Sequence, residues 1–532
     1  MGKASAPAPA PRQKRSGKET SRAFRGEKNM QLFENRSAGV LLHVSSLPGK
    51  YGIGTMGQEA RRFADFLKQA GFSCWQVLPL VQTGYGDSPY QSVYGASGNP
   101  YLIDPELLAA EGLLRPRELS ALRAPSGQVD FDRIRATRIP MLRRAFSRFD
   151  CGDPAFRSFC EAGEFSDYAL FMAARERFGE GFVRWPKPLR LREPAALSAF
   201  RAENEEECLF WQFVQYEFLR QWKALKAYVN GIGIRIVGDI PLYMAYDSVD
   251  VWAAPHLFKL NKNLTRKKVA GVPPDYFSAT GQLWGNPVYD WKAHESEGYR
   301  WWTERIRRAF ELYDAVRIDH FRGFDRYFEI DAAAHPAVGG RWRPGPKEKL
   351  FEAVRARLGE LDFIAEDLGT IDAGVRRLMK KTGFPGMKVL QFAFDGNPGN
   401  PYLPENIGEN SVCYTGTHDN DTLLGFLSQM PAWEYEIFCR SAKPRLRAAG
   451  IPARRSTPRG AAASLRALAL SVPSALCVLP VQDVLLLGGE ARMNVPGTPS
   501  GNWRFRLENL PSARTARECR ALLSRFGRLA DG

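Results

Sequence analysis

Residues 315–323 read AVRIDHFRG and residues 363–369 read FIAEDLG. Each is a short run of β-branched and small apolar residues that ends in a carboxylate, Asp319 in the first and Glu366 in the second. A run that is apolar on both alternating faces is the mark of a strand buried on both sides, as in a parallel sheet. Six more runs of this kind lie outward along the chain: Gly39–Val44, Cys74–Leu80, Arg235–Ile240, Lys388–Phe394, Val412–Thr417 and Leu476–Val481. Helical patterns separate them. Phe63, Phe66, Leu67 and Ala70 share one face of Ala60–Ala70, and Leu350, Phe351, Val354 and Leu358 repeat the pattern later. Eight strand–helix units predict an α/β fold, a closed (β/α)8 TIM barrel.

The spacing of the runs is uneven. About 150 residues separate the second run from the third, where one barrel unit takes about 30. Helical patterns such as Tyr168–Phe178 and Leu209–Val229 fill that interval, so a mainly helical subdomain is expected at about 105–230. A second insertion, at about 250–300, is rich in Trp, Pro, Gly and Asn and reads as a long binding loop. The barrel with its insertions is expected over residues 37–532. Residues 1–36 are Pro/Ala/Lys/Arg-rich with almost no apolar periodicity, and are expected to be a disordered basic extension. They contain no apolar h-region of a secretory signal; their basic character fits an organellar transit peptide or, more ordinarily, an extension before a natural start at Met30. Gly2 does not open a myristoylation motif, because position 6 is Ala6.

Composition narrows the function. The chain has 532 residues, 44% apolar and 25% charged, enough for a large core and not for a wholly disordered protein. The most apolar stretch, Ala467–Gln482, is 16 residues long and holds Pro473 and Pro480, so no membrane span is expected. The net charge is +16, of which +6 sits in residues 1–36, and the body lacks a nucleic-acid-binding motif. No nucleic-acid partner, membrane association or obligate protein partner is expected. The eight cysteines show no CxxC spacing, and free thiols in a reducing cytoplasm are expected.

In a barrel of this kind the reacting groups come from the carboxyl ends of the strands. The fourth run ends at Asp319, with Arg317 two residues back on the same face, and the fifth at Glu366. The seventh ends CYTGTHDND, presenting His418 and Asp419, and the third ends at Asp239. Buried carboxylates are costly unless paired or used. Several at equivalent positions, with an arginine beside one, favour use. Two carboxyl groups suffice for retaining glycoside chemistry, one attacking the anomeric carbon while the other protonates the leaving oxygen. Arg317 would favour a charged nucleophile at Asp319, and a third carboxylate would steady an oxocarbenium-like transition state.

Other chemistries find less support. Gly52-x-Gly54-x-x-Gly57 matches a dinucleotide fingerprint, but seven residues separate it from the first run and no acidic residue closes the second. The histidines show no HxxxH pairing, and a metal site from Asp319, His320 and Asp419 would need side chains on opposite strand faces. No GxSxG occurs. No metal or organic cofactor is required.

Taken together, AVRIDHFRG, IAEDLGTID, YTGTHDNDT, VAGVPPDYFSATGQLWGNPVYDW and EARMNVPGTPSGNW resemble the amylomaltase family, the 4-α-glucanotransferases of glycoside hydrolase family 77. GVLLHVSSLPGKYGIGTMG, WQVLPL and DSPYQSVYGASGNPYLID agree, and the resemblance runs from about Ser37 to about Leu523. It implies transfer of α-1,4-glucan segments to glucose or another glucan through a β-glucosyl-enzyme. By resemblance, Asp319 is the nucleophile, Glu366 the general acid/base and Asp419 the transition-state stabiliser. Arg317, His320 and His418 would contact the sugar before the cleaved bond. Trp284 would stack on a glucose face, with Gln282 and Asn286 bonding hydroxyls and Asp275 and Tyr276 just before them. Tyr101 would be a second platform or a packing residue, Asn494 and Trp503 would shape the cleft floor, and Arg492 beside them would do so too or belong to a structural ion pair. Tyr246 and Lys347 depart from the family pattern and bear on loop contacts only. An amylase-type hydrolase shares the covalent intermediate and is the alternative; a non-catalytic glucan-binding scaffold would have no use for the three carboxylates.

Overall fold

The computed structural model describes residues 32–274, 281–334, 339–369, 371–453 and 457–530. Twelve strands follow in chain order among these residues: β1 (Ser37–Leu41), β2 (Cys74–Gln76), β3 (Arg235–Ile240), β4 (Lys268–Val272), β5 (Gln282–Pro287), β6 (Ala315–Ile318), β7 (Arg326–Asp331), β8 (Arg341–Pro344), β9 (Phe363–Ala365), β10 (Gly386–Val389), β11 (Ser411–Tyr414) and β12 (Leu476–Pro480). Eight of them close into a barrel in the order β1-β12-β11-β10-β9-β6-β3-β2, all pairs parallel. These are the eight apolar runs. Every residue of β1, β2, β6, β9, β11 and β12 is buried, which is why they read as unbroken apolar segments rather than alternating ones. The sixth run was placed slightly late: β10 starts at Gly386, and Leu390–Phe392 already turns into a 3-10 helix.

The stretch between β2 and β3 is helical, as its periodicity predicts. Phe131–Phe146, Ser166–Phe178 and Glu205–Gly231 are its main helices; Asp130 caps the first, and Asp104 and Asp153 cap shorter ones, by accepting backbone amides. The long helix grips the loop after β2 through two glutamines. Gln215 bonds both the amide and the carbonyl of Gly98, at 2.7 and 3.1 Å, and Gln221 accepts from the Asp104 amide at 2.7 Å. The glycine-rich stretch after β1 has a packing reason too. A side chain at Gly54 would collide with the Val44 carbonyl, and one at Gly57 with the Asp104 carboxylate. Its dinucleotide-like spacing serves close packing.

The second insertion differs from the expected loop. β4 and β5 belong to a four-stranded antiparallel sheet, β5-β4-β7-β8, that stands outside the barrel. Its other half, β7 and β8, lies after β6 in the chain, so no local window displays the sheet. The strands KVAGV and QLWGNP also carry Gly, Asn and Pro, residues that locally signal turns.

The amino-terminal face is sealed by Arg528. Its buried guanidinium donates to the carbonyls of Leu470, Ser37 and Val472 at 2.7, 2.7 and 2.6 Å, and to that of Ser474 at 2.9 Å. Residues 32–36 of the expected extension join this face: the Leu32 amide donates to Asp362 at 3.1 Å and Arg36 to the Val472 carbonyl at 2.9 Å. The eight cysteines carry no disulfide. Among the described residues no helix is long and apolar enough to cross a membrane.

Candidate active site

The parallel register sets Asp239 of β3 beside Arg317 of β6. Side chains paired across neighbouring strands point the same way, so the carboxylate and guanidinium meet inside the barrel mouth. Arg317 Nη1 lies 2.6 Å from Asp239 and Nη2 3.0 Å from Asp319, while Nε donates to the Met387 sulfur at 3.4 Å. The Tyr90 hydroxyl donates to the same Asp239 oxygen at 2.8 Å. Burial pushes Asp239 up to about 7, and the Arg317 guanidinium opposes that shift. Arg317 is thus fixed in the plane that presents it to Asp319, which stands just past the strand end and is 32% exposed.

Glu366 follows β9 and is held by the main chain on both oxygens. The His320 amide donates to Oε2 and the Leu368 amide to Oε1, each at 2.7 Å. His320 adopts a left-handed conformation, with φ of 49°, immediately after Asp319. Burial, followed by the Asp319 carboxylate, pushes Glu366 up to about 7, against the smaller pull of Arg317 and the two amides. A carboxyl that still holds its proton near neutrality sits beside a carboxylate paired with arginine. Retaining glycoside chemistry uses two carboxyl groups, one of them a proton donor with a raised pKa.

Asp419 completes the group from the β11 end and is 47% exposed. Its Oδ1 accepts from Asn494 at 2.6 Å and lies 3.4 Å from His418 Nε2, and its carbonyl accepts from Arg492 at 2.7 Å. Of the two readings of Arg492, cleft residue or ion-pair member, the bonds formed are to main-chain carbonyls, including that of Asn494 at 2.8 Å. The His418 ring stacks on Tyr90 at 5.0 Å, and Trp503 covers both at 5.8 Å. Burial holds His418 below its ordinary range and His320 at about 4, so both rings are neutral donors or acceptors near neutral pH.

Trp284 of β5 meets the His320 ring edge-on at 4.9 Å, and its indole N–H donates to Gln282 at 3.1 Å. Those two predicted residues therefore stand at the carboxylate cluster. Asn286 is buried; it donates to the Met244 carbonyl at 2.9 Å and accepts from Gln91 at 3.4 Å. Tyr101 lies on the turn Pro100–Leu102, and its charged neighbours are Arg135, Asp87 and Arg175, not the three carboxylates. Asp275 and Tyr276 lie outside the described residues. Tyr90 was not singled out by sequence reasoning, although it sits in the quoted DSPYQS. Nothing local reveals that a tyrosine 149 positions before Asp239 would hydrogen-bond to it. Among the described residues, no three His, Cys, Asp or Glu side chains converge as a metal ligand set would.

The family model described as 4-alpha-glucanotransferase, glycoside hydrolase family 77, matches residues 42–512. A 4-alpha-glucanotransferase of Thermus thermophilus is 49% identical over 482 residues, covering 89% of this chain and 95% of that protein. A chloroplastic/amyloplastic 4-alpha-glucanotransferase of Solanum tuberosum is 39% identical, covering 93% and 87%. The structure of an amylomaltase from Streptococcus agalactiae in complex with acarbose superposes with a TM-score of 0.87 at 36% identity, covering 93% of this chain and 99% of that one. The barrel, the carboxylate cluster at its carboxyl end and these relatives agree: this chain belongs to glycoside hydrolase family 77, the 4-α-glucanotransferases, and is an enzyme of the hexosyltransferase class.

Proposed function

We propose that the enzyme transfers α-1,4-glucan segments by a retaining double displacement through a covalent β-glucosyl-aspartate. The observation that carries this reading is Glu366, pushed up to about 7 beside an Asp319 bridged by Arg317. Asp319 attacks the anomeric carbon as the bond to the leaving 4-oxygen breaks, and Glu366 gives its proton to that oxygen. Glu366 then takes the proton of an incoming sugar 4-hydroxyl, which attacks the same carbon and releases Asp319. Asp419, oriented by Asn494 and His418, stabilises the positive charge that develops on the ring. Arg317, His320, His418, Trp284 and Gln282 hold the sugars. Glucose or another glucan is the acceptor. Trp284 over His320 narrows the side from which water would enter, favouring sugar over water as the second reactant.

Incubation with maltotriose alone, with products separated by size, tests this. Glucose with a ladder of chains longer than maltotriose is expected. Glucose and maltose with nothing longer would make water the acceptor and the protein an amylase-type hydrolase.

A further inference from the structure

Two of the few exposed large apolar side chains share one helix face. Trp433 is 67% exposed and Ile437 47%, and they stand one turn apart in the helix Ala432–Ala448. That helix starts at the catalytic end of the barrel. Gln429 closes the preceding helix, Leu423–Gln429, and donates at 2.8 Å to Asp421, two residues beyond Asp419. Four residues of chain reach at most about 14 Å, so Trp433 lies within that distance of Gln429, whose side chain bonds Asp421 beside the carboxylate cluster. On its inner side the helix packs Phe438 against Phe394 at 4.8 Å. Phe394 is two residues past Phe392, whose partly exposed ring meets Tyr402 at 5.6 Å, and Tyr402 senses the charge of Glu366. Aromatic contacts and a short stretch of chain thus join the acid/base to the exposed indole.

We propose that Trp433 and Ile437 form an outlying platform for an α-1,4-glucan chain, gripping a polymer whose reacting segment lies in the cleft. The inference rests on the glucanotransferase reading. An indole offers a flat apolar face that matches the C–H face of a pyranose, and a neutral glucan asks for no charge. The neighbouring Glu434 and Glu436 oppose an anionic surface or nucleic acid. Two side chains fall far short of the roughly 800 Å² per partner that a stable protein interface buries. A sugar chain needs only one or two ring faces.

The test compares Trp433→Ala with unmodified protein and with Phe178→Ala, which removes a partly exposed ring from the helical subdomain. Retardation in native gels containing glycogen or amylose reads binding without turnover, and maltotriose disproportionation reads the cleft. Trp433→Ala is expected to weaken retardation roughly two- to tenfold, the scale of one lost aromatic contact, with maltotriose transfer unchanged and Phe178→Ala behaving as unmodified protein. Unchanged retardation would overturn the platform. So would an equal loss on maltotriose, which would place Trp433 in the cleft's own machinery. Concentration-dependent self-association abolished by Trp433→Ala would overturn it too, making the face an interface between copies. Because retardation needs no chemistry, a failure of the transferase reading on maltotriose is seen separately.

Discussion

The main-chain amide of His320 donates to Oε2 of Glu366 at 2.7 Å, so the residue that follows Asp319 also positions the proposed acid/base. The left-handed turn at His320 aims that amide across to the next barrel strand end. The Glu366 carboxyl is thereby anchored by the main chain of the neighbouring strand end, while Asp319 is held by the Arg317 side chain.

In the proposed mechanism Glu366 must carry its proton to start the reaction. With its ionisation pushed up to about 7, kcat/KM for maltotriose is expected to fall about tenfold per pH unit above that value. Glu366→Gln is expected to abolish turnover while glucan binding persists. A flat profile from pH 6 to 9 would remove Glu366 from the role.

The same group bears on stability, in the opposite sense from an ordinary surface carboxylate. Its folded value lies above the unfolded one, so the folded state binds more protons between pH 4.5 and about 7. Stability from this group is present below pH 4.5 and is lost as pH rises through about 7. From pH 4 to pH 8 the stability of Glu366→Gln relative to the unmodified protein is expected to rise by on the order of 3 kcal/mol. Denaturant titrations at the two pH values measure this.

Asn494 tethers Asp419 at 2.6 Å. Asn494→Ala leaves the carboxylate free to swing, and kcat is expected to fall about ten- to a hundredfold with KM little changed. A change confined to KM would make Asn494 a sugar contact rather than a tether.

Asp239 is the buried partner that keeps Arg317 in place. Asp239→Asn would strand a buried guanidinium with one carboxylate in place of two. A loss of about 3–5 kcal/mol of stability is expected together with loss of turnover. Tyr90→Phe, which removes only the hydroxyl bond to Asp239, is expected to cost about 1 kcal/mol, measured by denaturant unfolding.

Arg528 lies at the far end of the barrel and has no part in the chemistry. Arg528→Met would leave the carbonyls of Leu470, Ser37, Val472 and Ser474 without this donor. Unfolding is expected about 3 kcal/mol or more earlier, with kcat of the folded fraction unchanged. A matching fall in kcat would mean the barrel base is coupled to the mouth.

What the sequence determined by itself was the barrel and its three carboxylates. A parallel strand buried on both faces must be written as a continuous apolar run, so all eight runs could be counted, and a polar residue at the end of such a run stands out against it. Helix periodicity located the subdomain between β2 and β3 for the same reason. Only the tertiary structure decided how the site is held together. The β5-β4-β7-β8 sheet joins segments on either side of β6, and Tyr90 reaches Asp239 from 149 positions away. Asn286 donates to the Met244 carbonyl, and Arg492 donates to the carbonyls of Asn494 and Asp419. Hydrogen-bond partners depend on which loops arrive together at the barrel mouth, and that proximity leaves no periodic trace in the chain.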